Sequence, residues 1–279
     1  MKDNRKVHSI EKMCKVLEVS RSSYYKRINS DKGKRAGENK GLLDQIRKIF
    51  SESRERYGSP RITAELKRSG INFNKKRIAR LMSKYGIAAK IFRKYRNTTN
   101  SDHVREKSQN ILGREFNRRR ANEVWTGDIT YIRTEEGWLY LAAVMDLYSR
   151  KVVGWQLDKR MSSDLVEKAL QNALMDRRVE QGIIFHSDQG IQYASESFRK
   201  ILKDHGFIQS MSRKGNCYDN AITETFFHTL KTELTSRTKY RTREEARRSI
   251  FEYIEIFYNR KRLHSAIGYY TPVEYEKLT

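Results

Sequence analysis

The sequence predicts a multidomain protein in which basic α-helical modules precede an α/β domain with a mixed sheet covered by helices. Three observations favour this fold class. The net charge is +24, and nearly all of the excess lies before residue 121. Apolar residues recur at helical spacing through the first 90 residues, whereas β-rich runs alternate with helical patterns after residue 123. A length of 279 residues suits about two domains at roughly 100–200 residues each.

The uneven charge points to a polyanionic partner. Residues 1–120 carry 34 basic and 12 acidic side chains, a net of +22, while residues 121–279 carry 24 and 22, a net of +2. A protein with such a concentration of positive charge binds nucleic acid favourably because counterions are released. We therefore expect double-stranded DNA as the partner, in preference to an anionic membrane face or a merely solvated basic surface.

The composition excludes several other classes of protein. No run of about 18 apolar residues is present, so we expect no transmembrane helix. The first five residues lead into no apolar stretch, so we expect no secretory signal peptide and a cytoplasmic location. Only Cys14 and Cys217 occur, and the six histidines are scattered, so we expect neither a disulfide scaffold nor structural zinc.

Residues 1–30 are predicted to form a helix-turn-helix. Four apolar residues share one helical face, Ile10, Met13, Cys14 and Leu17. Ser20 is the predicted N-cap of a second helix over residues 21–28. The second helix of such a motif presents donors to the major groove, which makes three polar side chains candidate DNA contacts, Arg21, Ser22 and Lys26.

A second helical module is predicted over residues 41–90, between two linkers. Residues 31–40 lack apolar periodicity and are interpreted as the first linker. Within the module, Asn74 precedes a helix that opens with three candidate DNA contacts, Lys75, Lys76 and Arg77. Residues 91–120 are the second linker, and their basic side chains suit either tracking of a DNA backbone or a solvated tether.

Residues 121–236 are predicted to form the α/β domain, followed by a C-terminal helical extension over residues 237–279. Three β-rich runs suggest an antiparallel meander, and helices then alternate with strands in the order βββαβαβα. This order predicts an RNase H-like arrangement, in which the first and fourth strands are neighbours.

Three acidic residues are placed to converge. Asp128 is predicted at the start of the first core strand, Asp188 just after the fourth strand, and Glu224 in the first turns of the next helix. Three carboxylates suit Mg²⁺ or Mn²⁺, which prefer oxygen ligands. Two such ions can support an in-line displacement at phosphorus. Two further acids are interpreted differently. Asp146 is either a fourth ligand or a partner of Arg150, and Asp219 is a helix cap.

The sequence resembles the integrase-type DDE transposases of bacterial insertion sequences, and more narrowly the second-reading-frame product of two-frame elements. The strings that carry the resemblance are WTGDITYI, LYLAAVMDLYSRKVVGW, FHSDQGIQY, GNCYDNAITETFFHTLKTEL and YNRKRLHSAIGYYTP. The resemblance implies a retroviral-integrase-like core in which Asp128, Asp188 and Glu224 bind two metal ions. It also implies hydrolysis of a phosphodiester at the transposon end, followed by attack of the freed 3′ hydroxyl on another phosphodiester.

The same resemblance implies the partners of the protein. These are the terminal inverted repeats of the element, target DNA, further copies of the chain in a synaptic complex, and an upstream-frame protein that is fused to or acts with this chain.

Two more side chains are candidates for DNA contact. Glu224, His228 and Lys231 share one helical face, so Lys231 is expected near the carboxylates, where it would hold phosphates of the DNA end. The resembled family has a basic residue at this place. His186 precedes Asp188 by two residues and either contacts substrate or is a hydrogen-bonded structural histidine.

Two alternative functions remain open at this point. An RNase H-like nuclease would use the same carboxylates but would only hydrolyse DNA, and it would not need about 120 residues of DNA-reading modules. A DNA-binding regulator derived from a transposase would bind the repeats without cutting them.

Overall fold

The computed structural model describes residues 1, 4–28, 32–89, 107–213 and 217–278. The chain divides into two compact units, Met1–Ala88 and Ala89–Thr279. Within the described ranges, no helix combines the length and the apolar character that crossing a bilayer requires.

The first unit begins with a helical hairpin formed by α1 (Ile10–Val16) and α2 (Arg21–Ile28). The Ser20 hydroxyl accepts the Ser23 N–H at 3.1 Å, so Ser20 caps α2 as predicted. The hairpin encloses three buried side chains, Met13, Cys14 and Tyr24. The predicted second helix of the helix-turn-helix therefore starts and ends where the sequence indicates.

Three longer helices complete this unit: α3 (Lys32–Glu52), α4 (Ser59–Arg68) and α5 (Lys75–Lys84). Their apolar stripes are buried against one another through Leu42, Leu43, Ile46, Ile49, Ile62, Leu66, Ile78, Leu81 and Met82. Asn74 caps α5 by accepting the Lys76 N–H at 2.8 Å. Fully buried aliphatic side chains at helical spacing explain why the sequence pattern located these helices correctly.

The prediction of a non-helical linker over residues 31–40 is wrong for residues 32–40, which belong to α3. Apolar periodicity reports only the buried part of a helix, and this first part is polar. Six of its nine residues are nevertheless good helix formers, namely Lys32, Lys34, Arg35, Ala36, Glu38 and Lys40, and they favour the helix in spite of Gly33 and Gly37. Glu38 and Asn39 in this part also bind Arg77 of α5, which ties the polar end of α3 to the unit.

The second unit is built on a five-stranded mixed sheet of β1 (Val124–Thr134), β2 (Gly137–Asp146), β3 (Val152–Asp158), β4 (Ile184–Ser187) and β5 (Ile208–Met211). The strand order is β3-β2-β1-β4-β5. The first three strands form the predicted antiparallel meander, and β4 and β5 continue it in parallel with β1. The predicted neighbouring of the first and fourth strands is confirmed.

Helices cover both faces of this sheet. One face packs on α6 (Ser163–Asp176) and α7 (Glu196–Asp204), and the other packs on α8 (Ala221–Leu230) and α9 (Arg243–Phe251). Successive residues of β2 alternate between the two cores, which is why its sequence is a continuous apolar run. The arrangement is the predicted RNase H-like one.

The segment that precedes β1 is not a free tether where the structure describes it. Leu112 is buried with Val124 and Leu147. The backbone N–H groups of Ile111 and Leu112 donate to the Ser210 hydroxyl at 3.0 and 3.2 Å. The prediction of a basic linker is therefore wrong for the described part of residues 91–120. Leu112 is buried, and two backbone hydrogen bonds attach this segment to β5. Residues 90–106 lie outside the described residues.

The C-terminal residues return to the sheet. A π-helical turn over Lys231–Thr235 follows α8, and a second one over Glu252–Tyr258 follows α9. The short helix α10 (Pro272–Tyr275) begins with a capping box between Thr271 and Glu274. These residues bury side chains against β1, β2 and α8, so they extend the core rather than forming a separate body.

Candidate active site

The sheet register brings Asp128 and Asp188 side by side. β1 pairs in parallel with β4 as far as Thr126 and His186, so the residues two positions later leave this pairing close together, and the charge of Asp188 acts on Asp128. Asp188 follows the last residue of β4, as predicted. Asp128 is not at the start of its strand but is the fifth residue of β1, since the strand extends back to Val124.

A buried hydroxyl pair joins the third carboxylate to the same strand. Glu224 lies in the first turn of α8. The Thr223 hydroxyl lies 2.7 Å from the Thr126 hydroxyl and 3.0 Å from Asn220 Oδ1. Both threonines are buried. Thr223, next to Glu224, is thus linked to Thr126, two residues before Asp128. This link was not predicted, although Thr223 adjoins Glu224 in the motif.

Gly127 allows β1 to approach the aromatic core beneath the site. A Cβ atom at this position would lie 2.7 Å from Cζ of Phe185 and 3.2 Å from Cε1 of Tyr193. Atoms of these types do not approach so closely without displacement. A side chain at residue 127 would therefore push against the rings that support Asp128.

The carboxylates destabilise one another's charged forms. Burial raises the pKa of Asp128 well above its usual value, and repulsion from Asp188 and then Glu224 adds to this. The Ile129 N–H, which donates to Asp128 at 2.7 Å, acts in the opposite direction. Burial and Asp188 also raise the pKa of Glu224. The charge of Lys231 lowers the pKa of Asp128, but by less than burial and Asp188 raise it, so the cluster still suits an added divalent cation.

The carboxylates do not form a closed cage. Among the described residues, no three His, Cys, Asp or Glu side chains stand in a ready metal-binding arrangement. Asp188 and Glu224 are half-buried and sit at a strand end and in a first helical turn. The donor set fits a hard divalent ion by its chemistry, since all three donors are carboxylates.

Lys231 lies where the helical spacing predicts, beside the carboxylates. Its Nζ atom is 4.6 Å from the centroid of the Tyr131 ring, a cation–π contact that the sequence analysis missed. Burial lowers the pKa of Lys231 to about 8, and the charge of Asp128 acts in the opposite direction. His228, on the same helical face, is exposed.

His186 is fully buried, so the prediction that it contacts DNA is corrected. Its Nδ1 atom lies 2.9 Å from the Ser210 hydroxyl. Burial lowers its pKa to about 4, which keeps the ring neutral at physiological pH. The structure therefore favours the structural interpretation of this histidine.

The two other acids have partners different from those predicted. Asp146 is fully buried, accepts the Asn122 N–H at 2.7 Å, and forms an ion pair of 3.5 Å with Arg177 instead of Arg150. Asp219 accepts from Nε of Arg114 at 2.7 Å, and hydrogen bonding, first of all from Arg213, holds its pKa below the usual range. Asp219 is thus an ion-pair acceptor and not a helix cap.

The candidate DNA contacts of the first unit differ in their availability. Four of them are exposed on the surface, Ser22, Lys26, Lys75 and Lys76. Arg21 is also exposed and forms an ion pair of 3.6 Å with Glu11. Arg77 donates to Glu38 and Asn39 and lies over Phe73 at 4.6 Å, so it has partners within the unit, and its DNA contact stays a prediction.

The sequence matches known families along most of its length. Residues 118–217 and 224–279 each match a family described as "Integrase core domain", and residues 37–95 match one described as "HTH-like domain". The transposase InsF for insertion sequence IS3A of Escherichia coli (strain K12) is 42% identical over 274 residues, which cover 96% of this chain and 94% of that protein. This chain belongs to the integrase-core transposases of bacterial insertion sequences.

Three further proteins are similar to this chain to different degrees. The insertion element IS600 uncharacterized 31 kDa protein of Shigella sonnei is 42% identical over 265 residues, covering 95% of this chain and 97% of that protein. The HTLV-2 integrase catalytic core domain, in its magnesium complex, is 14% identical with a TM-score of 0.42, over 56% of this chain and 97% of that one. A chain of the simian T-cell lymphotropic virus intasome gives a TM-score of 0.47 at 14% identity, over 83% and 74%.

Proposed function

We propose that this transposase cuts and joins DNA at the terminal repeats of an insertion sequence and that Asp128, Asp188 and Glu224 form its catalytic centre. The observation that carries the proposal is electrostatic: burial and mutual repulsion raise the pKa of Asp128, and burial and Asp188 raise that of Glu224. Such clustered, perturbed carboxylates are typical of functional sites.

The centre is proposed to hold two Mg²⁺ or Mn²⁺ ions and no zinc. Three carboxylates provide only oxygen donors, and each bound cation would relieve the repulsion between them. Asp128, Asp188 and Glu224 would together hold the ions. Ions held there would stabilise both the attacking and the leaving oxygen of an in-line displacement at phosphorus.

The protein side chains position the DNA for this reaction. Lys231 is half-buried beside Asp128 and over Tyr131, where its ammonium group would bind a phosphate of the DNA end. Cleavage by water frees a 3′ hydroxyl, and the same centre would direct this hydroxyl to a second phosphodiester. Neither step needs a covalent protein intermediate or a nucleotide cofactor.

The first unit is proposed to bind the terminal repeats through its exposed donors, Arg21, Ser22, Lys26, Lys75 and Lys76. Two transposon ends must be held together, so we propose more than one copy of the chain in the synaptic complex, together with target DNA. We also propose that the chain acts at the bacterial nucleoid and with, or fused to, an upstream-frame protein.

The test is strand cleavage and joining of terminal-repeat DNA with Mg²⁺ or Mn²⁺, comparing wild type with Glu224→Gln. The substitution keeps size and hydrogen bonding but removes the charge that would hold a cation. We expect cleavage and joining to fall below detection while DNA binding is retained. Glu196→Gln, at an exposed acid in the first turn of α7, is the matched control and should keep full activity.

Three other results would contradict the proposal. Full activity of Glu224→Gln would exclude this glutamate from the centre. Hydrolysis without joining would indicate a nuclease. Specific DNA binding by wild type without cutting, also when the upstream-frame segment is fused to it, would indicate a regulator.

A further inference from the structure

Arg262, in the C-terminal string YNRKRLHSAIGYYTP, forms a buried ion pair with Glu233, which lies in the turn after α8. The side chain of Arg262 is 6% exposed and that of its partner Glu233 is 9% exposed. Nη2 and Nε of Arg262 lie 2.8 and 3.1 Å from Oε1 of Glu233, and Nε lies 3.0 Å from Oε2. The guanidinium therefore uses its planar fork on both carboxylate oxygens.

The pair is enclosed by further polar and aromatic contacts. The Tyr253 hydroxyl donates to Oε2 of Glu233 at 2.8 Å. The guanidinium also lies over the Tyr258 ring at 5.7 Å, and that ring packs edge-on against Phe226 of α8 at 4.8 Å. Arg262 is thus anchored on the same helix that carries Glu224.

Glu233 belongs to the turn that carries Lys231. The two residues lie in the π-helical turn Lys231–Thr235, in which the Ser236 N–H donates to the Lys231 carbonyl at 3.0 Å. π-Helical turns within helices are uncommon and occur frequently at functional sites. The side chain of Glu233 is bound to the C-terminal residues, while that of Lys231 lies over Tyr131.

We propose that Arg262 is a positioning residue for strand cleavage. Through Glu233 it fixes the π-helical turn and so holds the Lys231 ammonium beside the carboxylates. The guanidinium of Arg262 is buried against Glu233, so its proposed effect on the reaction passes through Lys231. The inference rests on the proposed function, because Lys231 matters only if the carboxylates are the catalytic centre.

A purely structural role is the competing explanation, since a buried ion pair also holds the C-terminal residues on the core. The conservative variants Arg262→Lys and Glu233→Asp distinguish the two roles. Arg262→Lys keeps the positive charge but loses the two-pronged geometry, and Glu233→Asp keeps the negative charge but has a shorter reach. Arg248→Lys is the matched control, because Arg248 forms an exposed pair with Glu244 in α9.

The first measurement does not depend on catalysis. Reductive methylation of the folded full-length protein, read by peptide mass spectrometry, reports how accessible and reactive the amine of Lys231 is. We expect Arg262→Lys and Glu233→Asp to change the methylation rate of Lys231 at least threefold, with Arg248→Lys at the wild-type rate. An unchanged rate in both folded variants would overturn the proposal, whether or not the protein cleaves DNA.

The second measurement is a double-mutant cycle on strand cleavage at saturating Mn²⁺. We expect Arg262→Lys to lower kcat about tenfold with KM for DNA unchanged. In the Lys231→Gln background the same change should cost less than twofold, because the group it positions is already gone. A tenfold cost in both backgrounds, or a loss confined to KM, would overturn the positioning role.

The two proposals fail in different ways. If Glu224→Gln retains activity, the catalytic centre is wrong, but the methylation rate still decides whether Arg262 positions Lys231. If Glu224→Gln is inactive and the cycle is additive, the centre stands and the positioning role does not.

Discussion

The Thr223 hydroxyl joins α8 to β1 through the Thr126 hydroxyl. Thr223 adjoins Glu224, and Thr126 lies two residues before Asp128. We predict that Thr223→Val lowers the free energy of unfolding by about 1–3 kcal/mol, because the Thr126 hydroxyl is left buried without this partner. Denaturant unfolding monitored by circular dichroism measures this change.

The neighbouring threonine provides the control for this substitution. Thr225 is exposed, and its hydroxyl donates to the Ala221 carbonyl within α8. Thr225→Val should change the free energy of unfolding by less than about 0.5 kcal/mol. Equal effects of the two substitutions would show that the hydroxyl pair does not fix α8 to β1.

His186 makes stability depend on pH. Burial lowers its folded pKa from 6.5 to about 4, so the folded state holds the neutral ring where the unfolded state takes up a proton. The stabilisation is full above pH 6.5 and is lost as the pH falls towards 4. We predict that wild type loses about 2 kcal/mol more than His186→Asn between pH 7 and pH 5.

The difference between variants is the quantity to measure, by urea unfolding at both pH values. The raised pKa of Asp128 acts with the opposite sign, because protonation of that carboxyl in acid favours the folded, metal-free protein. His205→Asn, at an exposed histidine, should retain the wild-type loss. Identical pH dependence in wild type and His186→Asn would mean that the ring is protonated in the folded state.

At the scale of elements, one side chain forms hydrogen bonds with the backbone at the outer edge of β3. The amide of Asn259 accepts the Val152 N–H and donates to the Val152 carbonyl, each at 3.0 Å. Asn259 is buried and follows the second π-helical turn. This side chain pairs with the strand as another strand would, and it ties the C-terminal residues to the sheet.

We predict that Asn259→Ala lowers the free energy of unfolding by about 2–4 kcal/mol, since both backbone groups of Val152 lose a buried partner. Asn172→Ala is the control, because Asn172 donates to the Trp155 carbonyl of the same strand from an exposed position. That change should cost less than about 1 kcal/mol. A small effect of Asn259→Ala would show that water replaces the amide at this edge.

The sequence predicted those elements whose side chains are buried in a regular pattern. Apolar runs and turn signals predict the three meander strands, the helices that connect the later strands, and the neighbouring of β1 and β4. It missed the first residues of β1, where Thr126, Gly127 and Asp128 resemble a loop in composition. Those residues are extended because they pair with β2 and β4, and pairing between distant residues has no local signal.

The sequence predicted the carboxylates and Lys231 of the candidate site, but not the residues that hold them in place. The motif and the order of strands were sufficient to predict that Asp128 lies beside Asp188. The partners of Asp146, Asp219 and Arg77 were not predictable, because each is fixed by a residue 24 or more positions away or by a loop. Side chains that are polar and ion-paired look the same in sequence as side chains exposed to solvent or DNA.

At the scale of the whole molecule, the catalytic unit is larger than the predicted α/β domain of residues 121–236. Five large side chains after residue 236 are buried in the core against β1, β2 and α8, namely Tyr240, Ile250, Tyr253, Ile254 and Tyr258. Before the predicted start of this domain, Leu112 is buried against Val124. The predicted boundaries therefore cut through a buried apolar cluster at each end.

We predict that a fragment of residues 107–279 folds cooperatively, whereas a fragment of residues 107–236 does not. Truncating a single large apolar core side chain costs about 2–5 kcal/mol, so removal of five costs about 10–25 kcal/mol, as much as or more than the 5–15 kcal/mol stability of an ordinary domain. A fragment of residues 121–279 loses only Leu112 and its neighbours, and its Tm should fall by about 5–15 °C. Thermal unfolding followed by circular dichroism and calorimetry compares the three; a sharp transition in 107–236 would show that the C-terminal residues cover the core without stabilising it.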